Sequence, residues 1–438
     1  MSTIPQVASE VKDILTSVSA RAGRLSGFVK RRSKFGGAAL VQTLTFGFLA
    51  HPDATLGQLS QSAAVVGVNI TGQGVAERFT AEAAECLRQV LAVAIGTVVG
   101  ADPVAVPIFD RFPGGVQIQD SSVVELPREL REVWPGCGGS ASDAAVKIEV
   151  RLDLRRGTLL GPLLEPGRTA DSASLLQHTD VAPGALFMAD LGYWDLQRLQ
   201  EQTERGVWWL LRLKQGTVVF DEQEQRLDLA QFLQQQDGPR AELRVYLGVH
   251  RRVPARLLAV RVSQETADRR RRHLRERAHQ QQRTVRPHQL RLADWTLVVT
   301  NVPPEQLSLQ DAIVLLRARW QVELLFKLWK SQGKIDEWRT RNPWRILCEI
   351  YAKLLAMLIQ HWLFLVSNWH NADRSSTKAA QTVRDHALHL ASHLPRDLAG
   401  LIEVMEIIAT CLASGCRINH RRKHPATFQE LQRLGQHP

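Results

Sequence analysis

Residues 147–154, KIEVRLDL, place Ile148, Val150, Leu152 and Leu154 in alternation with Lys147, Glu149, Arg151 and Asp153. A strict period of two fits a half-buried strand and no helix, so this stretch sets the local geometry of the chain. RRG, immediately after it, reads as a hairpin turn. Upstream, VAVPIF and GVQIQDSSVVEL are short, β-branched and bounded by glycine and proline, as strands are. Downstream, DSASLLQH reads as a short helix, GALFMAD as a buried strand, DLQRLQEQTERG as a helix and VWWLLRLK as another strand. Three meandering strands followed by alternating helix and strand predict an α/β sheet with one antiparallel side.

The flanks have a different texture. Residues 1–100 carry apolar positions at helical spacing in FGGAALVQTLTFGFLA and AAECLRQVLAVAIGTVV. Between these runs, Leu56 and Leu59 would open one helix, Gly67 would mark a turn, and Thr71 would cap a second helix carrying Val75 and Arg78. That helix-turn-helix pattern suits either a packing unit or a DNA contact. Residues 104–215 hold the first part of the α/β core. Residues 216–305 interrupt it with the strand candidates ELRVYLGV, RLLAVRVS and WTLVVTNV around RRRRHLRERAHQQQR, which reads either as a solvated helix or loop or as a phosphate-contacting arm. Helices return over residues 306–370 and continue through 371–438, where CRINHRRKHPATF is again basic.

The chain has 438 residues, 44% of them hydrophobic, enough for at least one large core. Lys and Arg total 55 against 44 Asp and Glu, a formal charge of +11, which favours an extended polyanion as partner, nucleic acid first and an anionic membrane surface second. The most apolar stretch, YAKLLAMLIQHWLFLV, is interrupted by Lys353, Gln360 and His361, so no run is expected to reach the ~18 apolar residues of a membrane span. MSTIPQVASEVKDIL lacks the basic-then-apolar order of a signal peptide, and five scattered cysteines make no disulfide framework. The expected location is the reducing cytoplasm, at the nucleoid.

RARWQVELLFKLWK, residues 317–330, carries the chemistry. Ser308, with Asp311 three residues on, makes a capping-box-like start for the helix holding it. On a single helix at about 100° per residue, Leu316, Arg319, Glu323, Lys327 and Lys330 fall within roughly an 80° sector, while Val314, Leu315, Val322, Leu325, Phe326 and Trp329 cover another face. Surface ion pairs of Glu323 with Arg319 and Lys327 would account for the stripe alone. Two further carboxylates change the balance. Asp120 closes the buried strand GVQIQ, and Asp190 closes GALFMA at a glycine turn, where α/β sheets place ligand-binding groups. Three carboxylates brought together would repel unless cations sat among them. Mg²⁺ suits a site that must also take phosphate, and a pair of such ions can activate a nucleophile and stabilise a leaving oxygen.

These residues resemble a family signature. Leu316, Arg319, Glu323 and Lys330 are similar to the Y-x2-R-x3-E-x6-K motif of the insertion-sequence-four family of DDE transposases; QIQDSS resembles its first aspartate motif and ADLGYWD its second, D-x-G-[YF]. WTLVVTNVP and the basic stretch before it also look like family sequence, so the resemblance runs from roughly residue 25 to 430. It implies a ribonuclease-H-like (retroviral-integrase-like) α/β core with a β-rich insertion, flanked by helical regions. It further implies Asp120, Asp190 and Glu323 as catalytic, metal-binding residues for two Mg²⁺ ions, with Mn²⁺ as the alternative ion. Arg319, Lys327 and Lys330 would hold DNA phosphates. The implied partners are the inverted-repeat ends of the protein's own element, target DNA and a second copy of the chain, with no membrane; the C-terminal helices are the expected place for part of the dimer contact. Two positions depart from the pattern: Leu316 replaces tyrosine, and Leu191 stands where many members have a basic residue. A DNA-binding remnant without catalysis and a metal-dependent nuclease on the same core are the alternative readings.

Other motifs are set aside. Cys411, Cys416, His420 and His424 form a C-x4-C-x3-H-x3-H string whose central loop is too short for a zinc finger. GPLLEPGRT imitates a phosphate loop but has the wrong glycine spacing, and Arg168 in place of lysine. Trp208 and Trp209 read as core, and no serine, cysteine or histidine forms a convincing nucleophile arrangement.

Overall fold

The computed structural model describes residues 2–31, 34–139, 141–418 and 426–434. The N-terminal helices are α1 (Ile4–Asp13), α2 (Ser19–Leu25), α3 (Gly37–Ala50), α4 (Leu56–Val65), α5 (Gly72–Ala76) and α6 (Ala81–Ile95). Thr3 and Thr55 cap α1 and α4 in capping boxes closed by Gln6 and Gln58. VAVPIF, expected as a strand, instead leads into the short helix α7 (Pro107–Asp110). Pro107 at the first position of that helix removes a backbone donor a strand would need and a first helical turn does not.

Next come β1 (Val116–Leu126), β2 (Ala144–Asp153), β3 (Leu159–Pro166) and β4 (Leu186–Ala189), followed by α8 (Leu196–Glu204), β5 (Trp208–Arg212), β6 (Val219–Phe220) and α9 (Leu229–Gln234). DSASLLQH forms two separate 3₁₀ turns, Asp171–Ala173 and Leu176–His178, in place of a helix. GPLLEPGRT lies in and just after β3, as a strand and not a phosphate loop. The chain continues through β7 (Arg240–Leu247), β8 (Val253–Arg261), α10 (Gln264–Gln280), α11 (Pro287–Leu292) and β9 (Trp295–Thr300) to α12 (Leu309–Ala318) and α13 (Trp320–Ser331). It ends in α14 (Pro343–Asn368), α15 (Ser376–Asp385), α16 (Ala387–His393), α17 (Leu398–Gly415) and α18 (Thr427–Arg433).

Two compact units interleave along this mixed α/β chain. The first comprises Met1–Pro107, Asp120–Thr169 and Trp320–Pro438; the second comprises Ile108–Gln119 and Ala170–Arg319. In the first unit α14 packs against α3, α6 and α17, and the strand order is β3–β2–β1. Asn342 caps α14, accepting hydrogen bonds from the backbone N–H groups of Trp344 and Arg345, with Pro343 at its first turn. α14 and α17 are each long and apolar enough to cross a membrane, which corrects the expectation that no run reaches that length. In α14, 94% of the most apolar window is buried, as in a core helix. Its polar interruptions are satisfied within the protein: Lys353 donates to the carbonyls of Lys334 (3.0 Å) and Glu337 (2.8 Å), and His361 Nε2 lies 2.8 Å from the Gly157 carbonyl. Gly157, at φ +70° in the β2–β3 turn, presses so closely on α14 that a Cβ there would lie 2.2 Å from Leu365.

β2 corrects a second expectation. Every residue from Ala144 to Leu152 is buried, including Lys147, Glu149 and Arg151, so the charged face meets protein and not water. Lys147 and Glu149 pair at 3.0 Å with almost no exposure, and Lys147 also donates to the Thr169 carbonyl.

The second unit has the strand order β1–β4–β5–β9–β8–β7–β6, with β1, β4 and β5 parallel and the remainder antiparallel. Its core gathers Phe187, Tyr193, Trp209, Leu247, Leu257 and Val299 among others. Trp209 is fully buried, as a core tryptophan.

Candidate active site

In the first unit, Asp120 lies within β1 and not at its end, because the strand continues to Leu126. Its carboxylate accepts a hydrogen bond from the Ser121 N–H at 2.8 Å. α13 is fixed by Val322, Phe326 and Trp329, all buried, with the last two rings meeting edge to face at 5.9 Å. Three-residue and four-residue spacing then puts Glu323, Lys327 and Lys330 on an adjacent face. A cleft of about 490 Å³ is lined by Asp120, Ser121, Ser122, Glu323, Lys327 and Lys330, together with Phe326, Ser331, Asp336 and Glu337.

Asp336 and Glu337 were not singled out by sequence reasoning, because they follow α13 in a loop with no helical period to flag them. Lys330 donates to the Val123 carbonyl at 3.4 Å and stands 3.8 Å from the Asp336 carboxylate, which ties α13, β1 and this loop together. The loop is anchored from below by Lys353, whose third partner is Glu349 at 3.4 Å; burial pushes this ammonium below its ordinary pKa. Asp53 holds Lys334 (3.3 Å) and Arg339 (2.8 Å). Burial opposes the Asp53 carboxylate's charge, but its hydrogen bond and charge interaction with Lys334, with help from Arg339, outweigh that and hold it below the usual range.

The cleft thus has four carboxylates, whose oxygens are hard donors, against two ammonium groups, which have no lone pair for a metal, and it has no thiolate or imidazole. That donor set fits Mg²⁺ or Mn²⁺ better than zinc. Among the described residues no three His, Cys, Asp or Glu side chains are gathered closely enough to hold a metal by themselves.

In the second unit, Asp190 follows β4, is exposed, and precedes the 3₁₀ turn Leu191–Tyr193. The turn explains the glycine of the D-x-G-Y pattern: a Cβ on Gly192 would lie 2.0 Å from the Asp171 carboxylate. Tyr193 is buried and its carbonyl accepts from Gln177 Nε2 at 3.2 Å, while Leu191 packs on the apolar core. β1 and β4 run parallel with Gln119 opposite Ala189 as the last paired positions; Asp120 and Asp190 are the next residues along the two segments.

The charged stripe of residues 316–330 does not lie on one helix. α12 ends at Ala318 and α13 begins at Trp320, so Leu316 and Arg319 belong to the second unit and Glu323, Lys327 and Lys330 to the first. Ser308 does cap α12, its hydroxyl accepting from the Asp311 N–H at 3.1 Å. The break falls in RARWQ, which has no glycine or proline to announce it. In the N-terminal region Thr71 caps α5 through the Gly74 N–H and Gly67 takes φ +87°, but α5 stops at Ala76 and leaves Arg78 in the following turn. Of the cysteine and histidine string, His420 and His424 lie outside the described residues.

A family model described as a transposase DDE domain matches residues 111–359. The transposase of insertion sequence element IS231C from Bacillus thuringiensis subsp. berliner is 28% identical over 431 residues, covering 92% of this chain and 89% of that one. The transposase of IS1151 from Clostridium perfringens is 23% identical over 371 residues, covering 78% and 76%. Among solved structures, a piggyBac transposase synaptic complex with hairpin DNA aligns over 95% of this chain and 87% of that one at 8% identity and a TM-score of 0.46, too distant to bear on fold or function.

Proposed function

Because this chain belongs to the family of transposases with a DDE domain, we propose that it is the transposase of an insertion sequence, cutting and joining the ends of its own element in DNA. Its similarity to insertion-sequence transposases over nine-tenths of its length supports that reading. The observation that carries the catalytic assignment is the cleft shared by Asp120 and Glu323, bordered by Lys327 and Lys330. Asp190 would be the third acid, one residue beyond the paired Gln119 and Ala189 of β1 and β4, and the core would be ribonuclease-H-like, of the insertion-sequence-four type.

In this reading Asp120, Asp190 and Glu323 hold two Mg²⁺ ions, or Mn²⁺ in their place. Bound there, the ions would activate a hydroxyl nucleophile and stabilise the leaving oxygen of a phosphodiester. Lys327 and Lys330 would neutralise phosphates beside the carboxylates, with Arg319 as a further phosphate partner. Lys330 would do so while tethered to Val123 and Asp336, so its ammonium is already oriented. The N-terminal helices would read the terminal repeat. A homodimer would hold two ends together, with the C-terminal helices in part of the contact. Work on chromosomal DNA belongs in the cytoplasm.

Incubation of the full chain with Mg²⁺ and a duplex carrying the element's inverted repeats tests the proposal. Joined products are expected. Cuts without joining would favour a nuclease, and a mobility shift without cuts would favour a DNA-binding remnant, the reading to which Leu191 and Leu316 lend weight.

A further inference from the structure

The arginine-rich run of the second unit forms α10, seventeen residues with one buried side chain, Ala267. Its inward side is anchored. Arg270 donates to the Trp295 carbonyl and to Thr296 Oγ1, both at 2.9 Å, and Arg271 donates to the Leu290 carbonyl at 3.2 Å and pairs with Asp268 and Asp294. Arg269, Arg272, Arg275 and Arg277 are all exposed: Arg269 and Arg272 point away from the anchored side, and Arg275 and Arg277 lie on its two flanks. Two of the three acids on the helix are engaged locally, Asp268 by Arg271 and Glu276 by His273 at 3.1 Å.

A helix kept only for solvation gains from opposite charges four residues apart. α10 has three such pairs, Glu265–Arg269, Asp268–Arg272 and Arg272–Glu276, but it also sets Arg271 against Arg275, and its six arginines outnumber its three acids. The crowding registers on Arg270, whose pKa is lowered first by burial and then by the charges of Arg212 and Arg269. An anionic membrane suits this helix poorly, since its apolar residues Ala267, Leu274 and Ala278 lie on the anchored side and leave no apolar face for lipid.

We infer that the exposed surface of α10 is a docking surface for the phosphate backbone of duplex DNA, made by Arg269 and Arg272 on its outermost face with Arg275 and Arg277 on the flanks. The inference rests on DNA being the substrate. The four guanidinium groups contact phosphates without reading bases, so the surface strengthens binding to any duplex and releases counterions as it does so.

The test uses the full chain with Arg269, Arg272, Arg275 and Arg277 all changed to Gln, and a second variant with all four changed to Lys. Binding to a duplex of about 40 base pairs lacking the element's ends is measured between about 50 and 200 mM salt. The Gln variant is expected to bind at least about tenfold more weakly, with the log–log salt slope reduced by about 3.6, while the Lys variant keeps the slope. Should the fourfold Gln variant fail to fold, Arg269→Gln with Arg272→Gln is expected to lower the slope by about two. An unchanged slope overturns the inference, as does unchanged duplex binding with lost binding to phosphatidylserine vesicles, measured in parallel on the same variants. The outcomes separate from those of the transposase assay: a chain that cuts nothing yet loses its salt slope on neutralisation keeps the surface and loses the enzyme.

Discussion

His361 interrupts the most apolar stretch of the sequence, and in the fold it is almost fully buried against Trp369 with its ring nitrogen at the Gly157 carbonyl. Burial pushes its pKa down to about 4 from the ordinary 6.5; the hydrogen bond to Gly157 works the other way, and Arg374 adds to the lowering. The unfolded chain therefore binds a proton below pH 6.5 that the folded chain refuses until about pH 4. Stability from this residue is complete above pH 6.5 and declines as pH falls toward 4, by up to about 3 kcal/mol. Denaturant titrations at neutral and acid pH check this, and His361→Gln is expected to flatten that part of the profile while keeping a donor for Gly157. The sequence displays His361 as an anomaly in an apolar run. Its partner is about two hundred residues away in the chain, beyond the reach of any local pattern.

At the scale of elements, β2 shows how far a hydrophobic pattern reaches. Its period of two names a strand, and the fold has that strand, with Lys147 opposite Glu165 of β3. The pattern could not tell a solvated charged face from a buried one, because Lys147 and Glu149 satisfy each other without water. Glu149→Ala is expected to cost about 3–5 kcal/mol by leaving the Lys147 ammonium buried without this carboxylate, whereas Lys147→Met combined with Glu149→Leu costs much less. Chemical denaturation of the two single variants and the pair measures the coupling. A pair as damaging as Glu149→Ala alone would contradict that account. The division between α12 and α13 was hidden for a related reason, since periodicity assumes one continuous rod and RARWQ contains nothing that breaks it. At the candidate site, Asp120, Glu323, Lys327 and Lys330 were legible from spacing and motif, whereas Asp336, Glu337, Lys353 and Asp53 enter through loop and tertiary contacts that no spacing encodes.

Across the whole molecule, a net charge of +11 and a family match from residue 111 to 359 agree on a polyanion as substrate. That match spans segments of both units and includes all three acids of the proposed site. Neutralising the acids one at a time tests the proposal most directly: Asp120→Asn, Asp190→Asn and Glu323→Gln, each assayed with Mg²⁺ for cutting of an end-bearing duplex and for affinity to the same DNA. Each variant is expected to lose cutting by at least about a thousandfold while DNA affinity stays within about threefold of the starting protein. A single variant that cuts at the original rate would show that its carboxylate has no part in the chemistry, and the three-acid site would be wrong.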